Sequence, residues 1–269
     1  MDQTPVRPDG MAIQPRDVGQ ILTDAFEVYR RNWQTLVSVA AVVILPLALI
    51  SYFVQHALRH TTVVTGAGNT VVISAPAFWR SVGASLVFAF LTFFAWSVLA
   101  GAITRAVASE AAGLETDVAA SYRFGLARIW PILLVGLLVG LSIACGFVLF
   151  VIPGIFLLTR LAVAIPVLVV EDRRGTEAMK RSWNLVTGRS WPVLGTLVLA
   201  WLLVGVVNSL LTLPFSGTWF LQGIMSAIAS VITLPFSVLV SVILYMDLRA
   251  RRENLTTATL QRDLQASAA

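Results

Sequence analysis

Charge is what this sequence has least of. Asp, Glu, Lys and Arg together make up 12% of the 269 residues, against about 25% in an ordinary soluble domain. So few polar side chains cannot cover a water-soluble globule. With 57% hydrophobic residues and a mean hydropathy of +0.83, composition places the chain in a bilayer. Cysteine is nearly absent as well. The single Cys145 excludes an intrachain disulfide and says nothing about compartment. The only histidines are His56 and His60. No Walker loop, nucleophile elbow or Cys/His cluster occurs.

The charge that exists is confined to islands. No ionisable Asp, Glu, Lys or Arg occurs over 32–58, 81–104, 129–159, 161–170 or 190–246. A transmembrane helix needs roughly 20 apolar residues. The 42 residues from Ile129 to Val170 therefore hold two spans turning at Pro153-Gly154, and the 57 from Ser190 to Met246 hold two broken near Thr212–Thr218. Six spans are expected, over 34–56, 82–104, 130–151, 155–171, 192–213 and 219–246. Residues 1–16 are polar and proline-rich and read as a disordered cytoplasmic N-terminus. They do not read as a signal peptide, because the first apolar run is long, late and without a small-residue cleavage site. Residues 17–253 form the six-span membrane domain, and 254–269 a cytoplasmic tail.

Sixteen of the 19 basic residues and all 14 acidic ones fall on one side of these spans. Arg59 and Arg80 lie on the other, and Arg160 lies within a span. The positive-inside rule then makes both termini cytoplasmic, in a multi-pass protein of the plasma membrane. The balance on the charged side is only +2, which does not make a phosphate-binding face for nucleic acid.

The most charged island, residues 171–191, is "EDRRGTEAMKRSWNLVTGRSW". Thr176 can cap a helix, Glu177 suits its first turn, and Gly188 suits its end. Ala178, Met179, Ser182, Trp183, Leu185 and Val186 form an apolar stripe opposite Lys180, Arg181, Asn184 and Thr187. Residues 17–33 show such a stripe with Val18, Ile21, Leu22, Ala25, Phe26 and Tyr29, and residues 117–130 show it more weakly. Each stretch ends in Arg-x-Trp, at Arg31-Asn32-Trp33, Arg128-Ile129-Trp130 and Arg189-Ser190-Trp191. The expected fold is thus an all-α integral membrane protein. It has six transmembrane helices and three amphipathic interfacial helices on the cytoplasmic side, as three repeats of a surface helix and a hairpin. The plainer alternative is that Arg and Trp are simply common at interfaces. A small extracytoplasmic hairpin is expected over "TTVVTGAGNTVVIS", residues 61–74.

"IPGIFLLTRLAVAIPVLVVED", "AMKRSWNLVTGRSWPVLG" and the closing "LYMDLRARRE" resemble the membrane domain of glycerophosphoryl diester phosphodiesterases, a bacterial multi-pass family with stand-alone members. The resemblance covers roughly residues 17–253 and is most specific over 153–194. It departs at Asn254, where glycine is expected. In fused members the hydrolase is a separate soluble domain after the membrane part, whereas roughly 20 residues follow the last span here. The resemblance therefore implies a membrane module without the family's named chemistry.

The residues agree. Glycerophosphodiester hydrolysis needs acid–base groups and usually a carboxylate-held metal. His56 and His60 have no acidic residue on their side, and adjacent Glu171 and Asp172 diverge on a helix. No catalytic residue, cofactor or metal is expected. Arg160, about six residues into the fourth span, is the first candidate polar site. It either snorkels to the outer surface or bonds carbonyls freed by Pro166 or Pro153, or it holds an anionic lipid or solute. Glu171, Arg181, Asp247 and Arg249 complete the candidates. Asp247 is expected to pair with Arg251 at i,i+4, with a lock against Arg181 or Arg105 as the alternative. Gly136, Gly140 and Ala144 form a small-residue face for close packing. The expected function is a non-catalytic scaffold or regulatory module in envelope or lipid metabolism, with a protein partner and the lipid bilayer, including anionic lipid, around it. The alternative is a permease or lipid-handling transporter using Arg160.

Overall fold

The computed structural model describes residues 16–59, 75–114 and 118–268. The hairpin expected over 61–74 and His60 lie outside these residues, as do Glu115 and Asp117. The described residues are helical, with no strand among them. α1 is Val18–Arg31, α2 Trp33–Arg59 and α3 Ala75–Ala111. α4 is Val118–Ala127, α5 Ile129–Leu149, α6 Val151–Arg160 and α7 Ala164–Glu171. α8 is Thr176–Val186, α9 Ser190–Thr212, α10 Trp219–Glu253 and α11 Thr257–Ala268. Six stretches are long and apolar enough to span a bilayer: 33–51, 82–111, 129–149, 151–171, 190–215 and 220–253. The protein is an all-α membrane protein of six spans, and a short helix precedes a hairpin three times in its chain order.

The fourth span is two helices. Proline at 166 has no N–H for the carbonyl four residues back, at Ala162, and its ring crowds that carbonyl. The chain breaks there, and the amide of Ala164 turns to the carbonyl of Leu161 at 3.2 Å. The carbonyls so released are taken by hydroxyls of other helices. Ser182 Oγ donates to the Arg160 carbonyl at 2.9 Å, and Ser241 Oγ to that of Ala162 at 3.0 Å. Backbone polar groups inside a bilayer have to be satisfied within the protein, and two serines do it.

At about 1.5 Å per residue, the 35-residue α10 is far longer than the roughly 30 Å hydrocarbon layer. Its last turns therefore extend beyond the apolar zone. It packs against α1, α2, α3, α7, α8 and α9, and Leu239, Val242, Ile243 and Tyr245 are fully buried. The turn between α5 and α6 is instead apolar and open, with Val148 87% and Ile152 80% exposed, a surface suited to lipid.

Close packing in the second hairpin falls elsewhere than the sequence suggests. A Cβ at Gly140 would meet nothing within 4 Å. At Gly146 it would sit 3.0 Å from the Cα of Gly154, and at Gly154 2.5 Å from the ring of Phe147. Of the expected small-residue face, Gly136 does approach a neighbour, the ring of Phe93 at 3.2 Å. Gly140 faces outward because the α5–α6 crossing lies nearer the turn.

The amphipathic stripes of α1 and α8 turn onto the bundle. Ile21 and Ala25 of α1, and Ala178, Ser182, Leu185 and Val186 of α8, are buried, while Phe26 is exposed. Trp33, Trp130 and Trp191 stay exposed at the starts of their spans. The α8 N-cap is Gly175 rather than Thr176. Its φ of 57° and ψ of −128° form a conformation essentially restricted to glycine, and this sharp turn folds α8 back toward α6 and α7. Gly188 follows the end of α8 with φ 82°, the expected left-handed stop.

Candidate functional site

Beneath the bundle, four helices bring charged side chains together. Tyr245, Arg249 and Glu253 lie four residues apart on α10, one above another on a single face. Glu171 ends α7, Arg181 lies in the middle of α8, and Asp263 lies on α11. Glu171 is the centre, with its side chain only 8% exposed. It accepts from Arg181 Nε at 2.8 Å, from the Tyr245 hydroxyl at 3.0 Å and from Arg173 Nε at 3.1 Å. Arg249 Nε lies 3.6 Å away. Arg249, 7% exposed, donates through Nη1 to the Tyr245 hydroxyl at 2.9 Å and to Asp263 at 2.7 Å. Its Nε donates to Glu253 at 3.1 Å.

Arg181 grips Glu253 with both terminal nitrogens, at 2.5 and 2.8 Å, a bidentate pairing that fixes geometry as well as charge. Burial works against its charge. Hydrogen bonds to Glu253 and Glu171 outweigh that and hold its pKa above the ordinary guanidinium value. The two arginines thus tie α7, α8, α10 and α11 into one knot.

The C-terminal segment, expected as a tail, is docked by this knot. Leu260 and Leu264 of α11 are fully buried, and Gln261 donates to the Ala112 carbonyl at 2.6 Å. The carbonyl end of α11 meets two cations. Arg105 donates to the Leu264 carbonyl at 2.9 Å and the Ser267 hydroxyl at 2.8 Å, and Arg128 donates to the Ser267 carbonyl. Cations at a helix C-terminus offset its partial negative charge. Arg128 also pairs with Asp172, whose φ of 52° ends α7 in a left-handed turn and aims it away from Glu171.

Of the five candidate residues, Glu171, Arg181 and Arg249 converge, and Arg160 and Asp247 do not join them. Asp247 holds Arg251 at 3.0 Å, so its ion-pair partner is the local one, and it also accepts the distant Arg16 amide at 2.5 Å. Arg181 takes Glu171 and Glu253, and Arg105 takes α11. Arg160 differs from the expectation. Its guanidinium faces α8, not the outer surface, and the carbonyls released near Pro166 go to serines. Nη1 donates to Thr187 Oγ1 at 2.6 Å and to the Trp183 carbonyl at 3.5 Å. The group stacks 5.0 Å from the Phe156 ring and 5.1 Å from that of Trp183, while its Nε is buried without a hydrogen-bond partner among the described residues. The cause is α8, which folds back and presents Trp183, with Thr187 just past its end, to the guanidinium.

The knot borders an open cavity of about 420 Å³, lined by Arg173, Arg181 and Arg249 and by Glu171, Asp172, Glu253 and Asp263. Three cations face four anions, and each acid already accepts from a guanidinium. Among the described residues, no three His, Cys, Asp or Glu side chains are grouped as metal ligands would be. Sequence reasoning missed Tyr245, Glu253 and Asp263. The four-residue spacing of Tyr245, Arg249 and Glu253 was a readable signal. Nothing local marked Asp263.

Residues 136–250 match the family model described as the membrane domain of glycerophosphoryl diester phosphodiesterase. The matched stretch runs from α5 to the last turns of α10 and contains Arg160, Glu171, Arg181, Asp247 and Arg249. No curated protein and no solved structure matches the chain.

Proposed function

We propose that this multi-pass membrane protein is non-catalytic, a scaffold or regulatory module that works beside a protein partner in envelope or lipid metabolism. One observation carries the reading: the acids and bases under the bundle are spent on each other. A general acid or base has to reach a substrate proton, yet Glu171 is buried beneath Arg181, Arg173 and Tyr245. The family match points the same way, because it is to the membrane domain. Transport through Arg160 has less support, since its guanidinium is held by Thr187 between two aromatic rings.

The purified chain, reconstituted in bilayers and given glycerophosphocholine with Mg²⁺, Ca²⁺ or Mn²⁺, is expected to release no glycerol 3-phosphate above a protein-free control. Metal-dependent release that disappears in a folded Glu171→Gln variant would make the chain an enzyme.

We infer further that both termini face the cytoplasm of a plasma-membrane protein, from the asymmetry of its basic residues. A cysteine replacing the exposed Lys180 should then resist a membrane-impermeant maleimide in intact cells and react after lysis. Reaction in intact cells reverses the topology.

A further inference from the structure

A second pocket on the charged side has the opposite character to the knot. It holds about 530 Å³ between the end of α8, the start of α9 and the end of α10. Its polar lining includes Arg189, Arg251 and Arg252, over a floor that includes Leu185 and Leu248, and no carboxylate among the described residues lines it. Two of the guanidinium groups are fixed in place. Arg251 is held by Asp247 at 3.0 Å and donates to the Arg16 carbonyl at 2.7 Å, and Arg252 donates to the Thr187 carbonyl. The Arg189 side chain makes no ion pair or hydrogen bond among the described residues. A cation left unpaired beside two immobilised cations raises the local positive potential and invites an anion.

The position of the pocket narrows the anion. Arg189 directly precedes the fifth span, and two residues on Trp191 is 82% exposed. Exposed tryptophan at the start of a span sits at headgroup depth, so the pocket opens level with lipid phosphates. Arginine forks match phosphate oxygens in charge and geometry.

We propose that this pocket binds a phosphate group, with Arg189 as its movable clamp and Arg251 and Arg252 as its fixed wall. The site is separate from the knot and does not depend on the scaffold reading. Two sources present this chemistry at that depth, the headgroup of an anionic phospholipid and free phosphate.

The test uses the full chain in an uncharged detergent, with the unfolding midpoint as readout, because a ligand that binds the folded state raises it. Dioctanoyl-phosphatidylglycerol is expected to raise the midpoint saturably, and dioctanoylglycerol, with the same chains and no phosphate, to leave it unchanged. Arg189→Gln should require roughly tenfold more phosphatidylglycerol, the loss of one charge-assisted contact. Arg189→Lys should retain most of the response, which separates a lost charge from a damaged fold. Arg30→Gln, at an exposed cation elsewhere on the same side, should respond like the wild type. If millimolar inorganic phosphate gives the same Arg189-dependent shift, the site is confirmed and its source is free phosphate. An equal response in the wild type and Arg189→Gln, or an equal effect of dioctanoylglycerol, overturns the proposal.

Discussion

Arg249→Ala is expected to lower stability by about 3–5 kcal/mol and to release the C-terminal helix, the largest loss from any single side chain in the charged layer. Removing one member of a buried ionic network leaves its partners buried and unpaired, and this costs more than the network adds when intact. Arg249 has three acidic neighbours. Without it Asp263, on α11, loses its one partner among the described residues. Tyr245 loses the donor at its hydroxyl, and Glu171 is left to Arg181 and Arg173. Arg174→Ala is the contrasting change. Arg174 is 59% exposed, and its partner Asp172 is 32% exposed and is held by Arg128 as well, so about 1 kcal/mol or less is expected. Tryptophan-fluorescence melting ranks the two variants, and limited trypsin digestion at Arg262 reports the release of α11. Equal melting of both variants, with Arg262 protected in each, would remove the knot from any role in holding α11.

Gly146→Leu is expected to prevent the second hairpin from closing, whereas Gly140→Leu is tolerated. The two glycines lie on the same helix, six residues apart, in similarly apolar surroundings. Only at Gly146 does a first carbon already meet backbone, 3.0 Å from the Cα and 3.1 Å from the amide of Gly154. Backbone cannot rotate away as the end of a side chain can, and transmembrane helices pack through such small-residue contacts. Overpacking costs about 1–3 kcal/mol where side chains can shift, and more here because they cannot. The readout is the yield of monodisperse protein after detergent extraction. Full yield from Gly146→Leu, or failure of Gly140→Leu, would contradict the crossing point.

The six spans were legible because the bilayer imposes a simple rule, and charge-free runs in this sequence obey it closely. Stripes on residues 17–33 and 176–188 located α1 and α8 for the same reason, since the 3.6-residue period needs no knowledge of a partner. What those stripes face was not legible. A face that suits lipid also suits a bundle, and Ala178 and Ser182 are small enough to let α8 approach α6 and α7. Arg160 was recognisable as unusual from its depth, but its partners lie 23 and 27 residues on, across a glycine turn whose direction periodicity does not reveal. The knot was half legible. Glu171 and Arg249 stand out as charges near helix ends and Arg181 as a charge on the polar face of α8, while Asp263 became a partner only when α11 folded back, and no local signal carries that.

The central claim is that the charged layer is a structural clasp holding α11 under the bundle. Spin labels at the exposed positions Lys180 of α8 and Gln265 of α11 measure it most directly, by pulsed dipolar spectroscopy of the full chain in lipid nanodiscs. A single narrow distance distribution is predicted, because Arg181 and Arg249 bind both helices to Glu171 and Glu253 and so to each other. A broad or bimodal distribution in the otherwise unaltered protein would mean that α11 is not held, and would contradict the clasp.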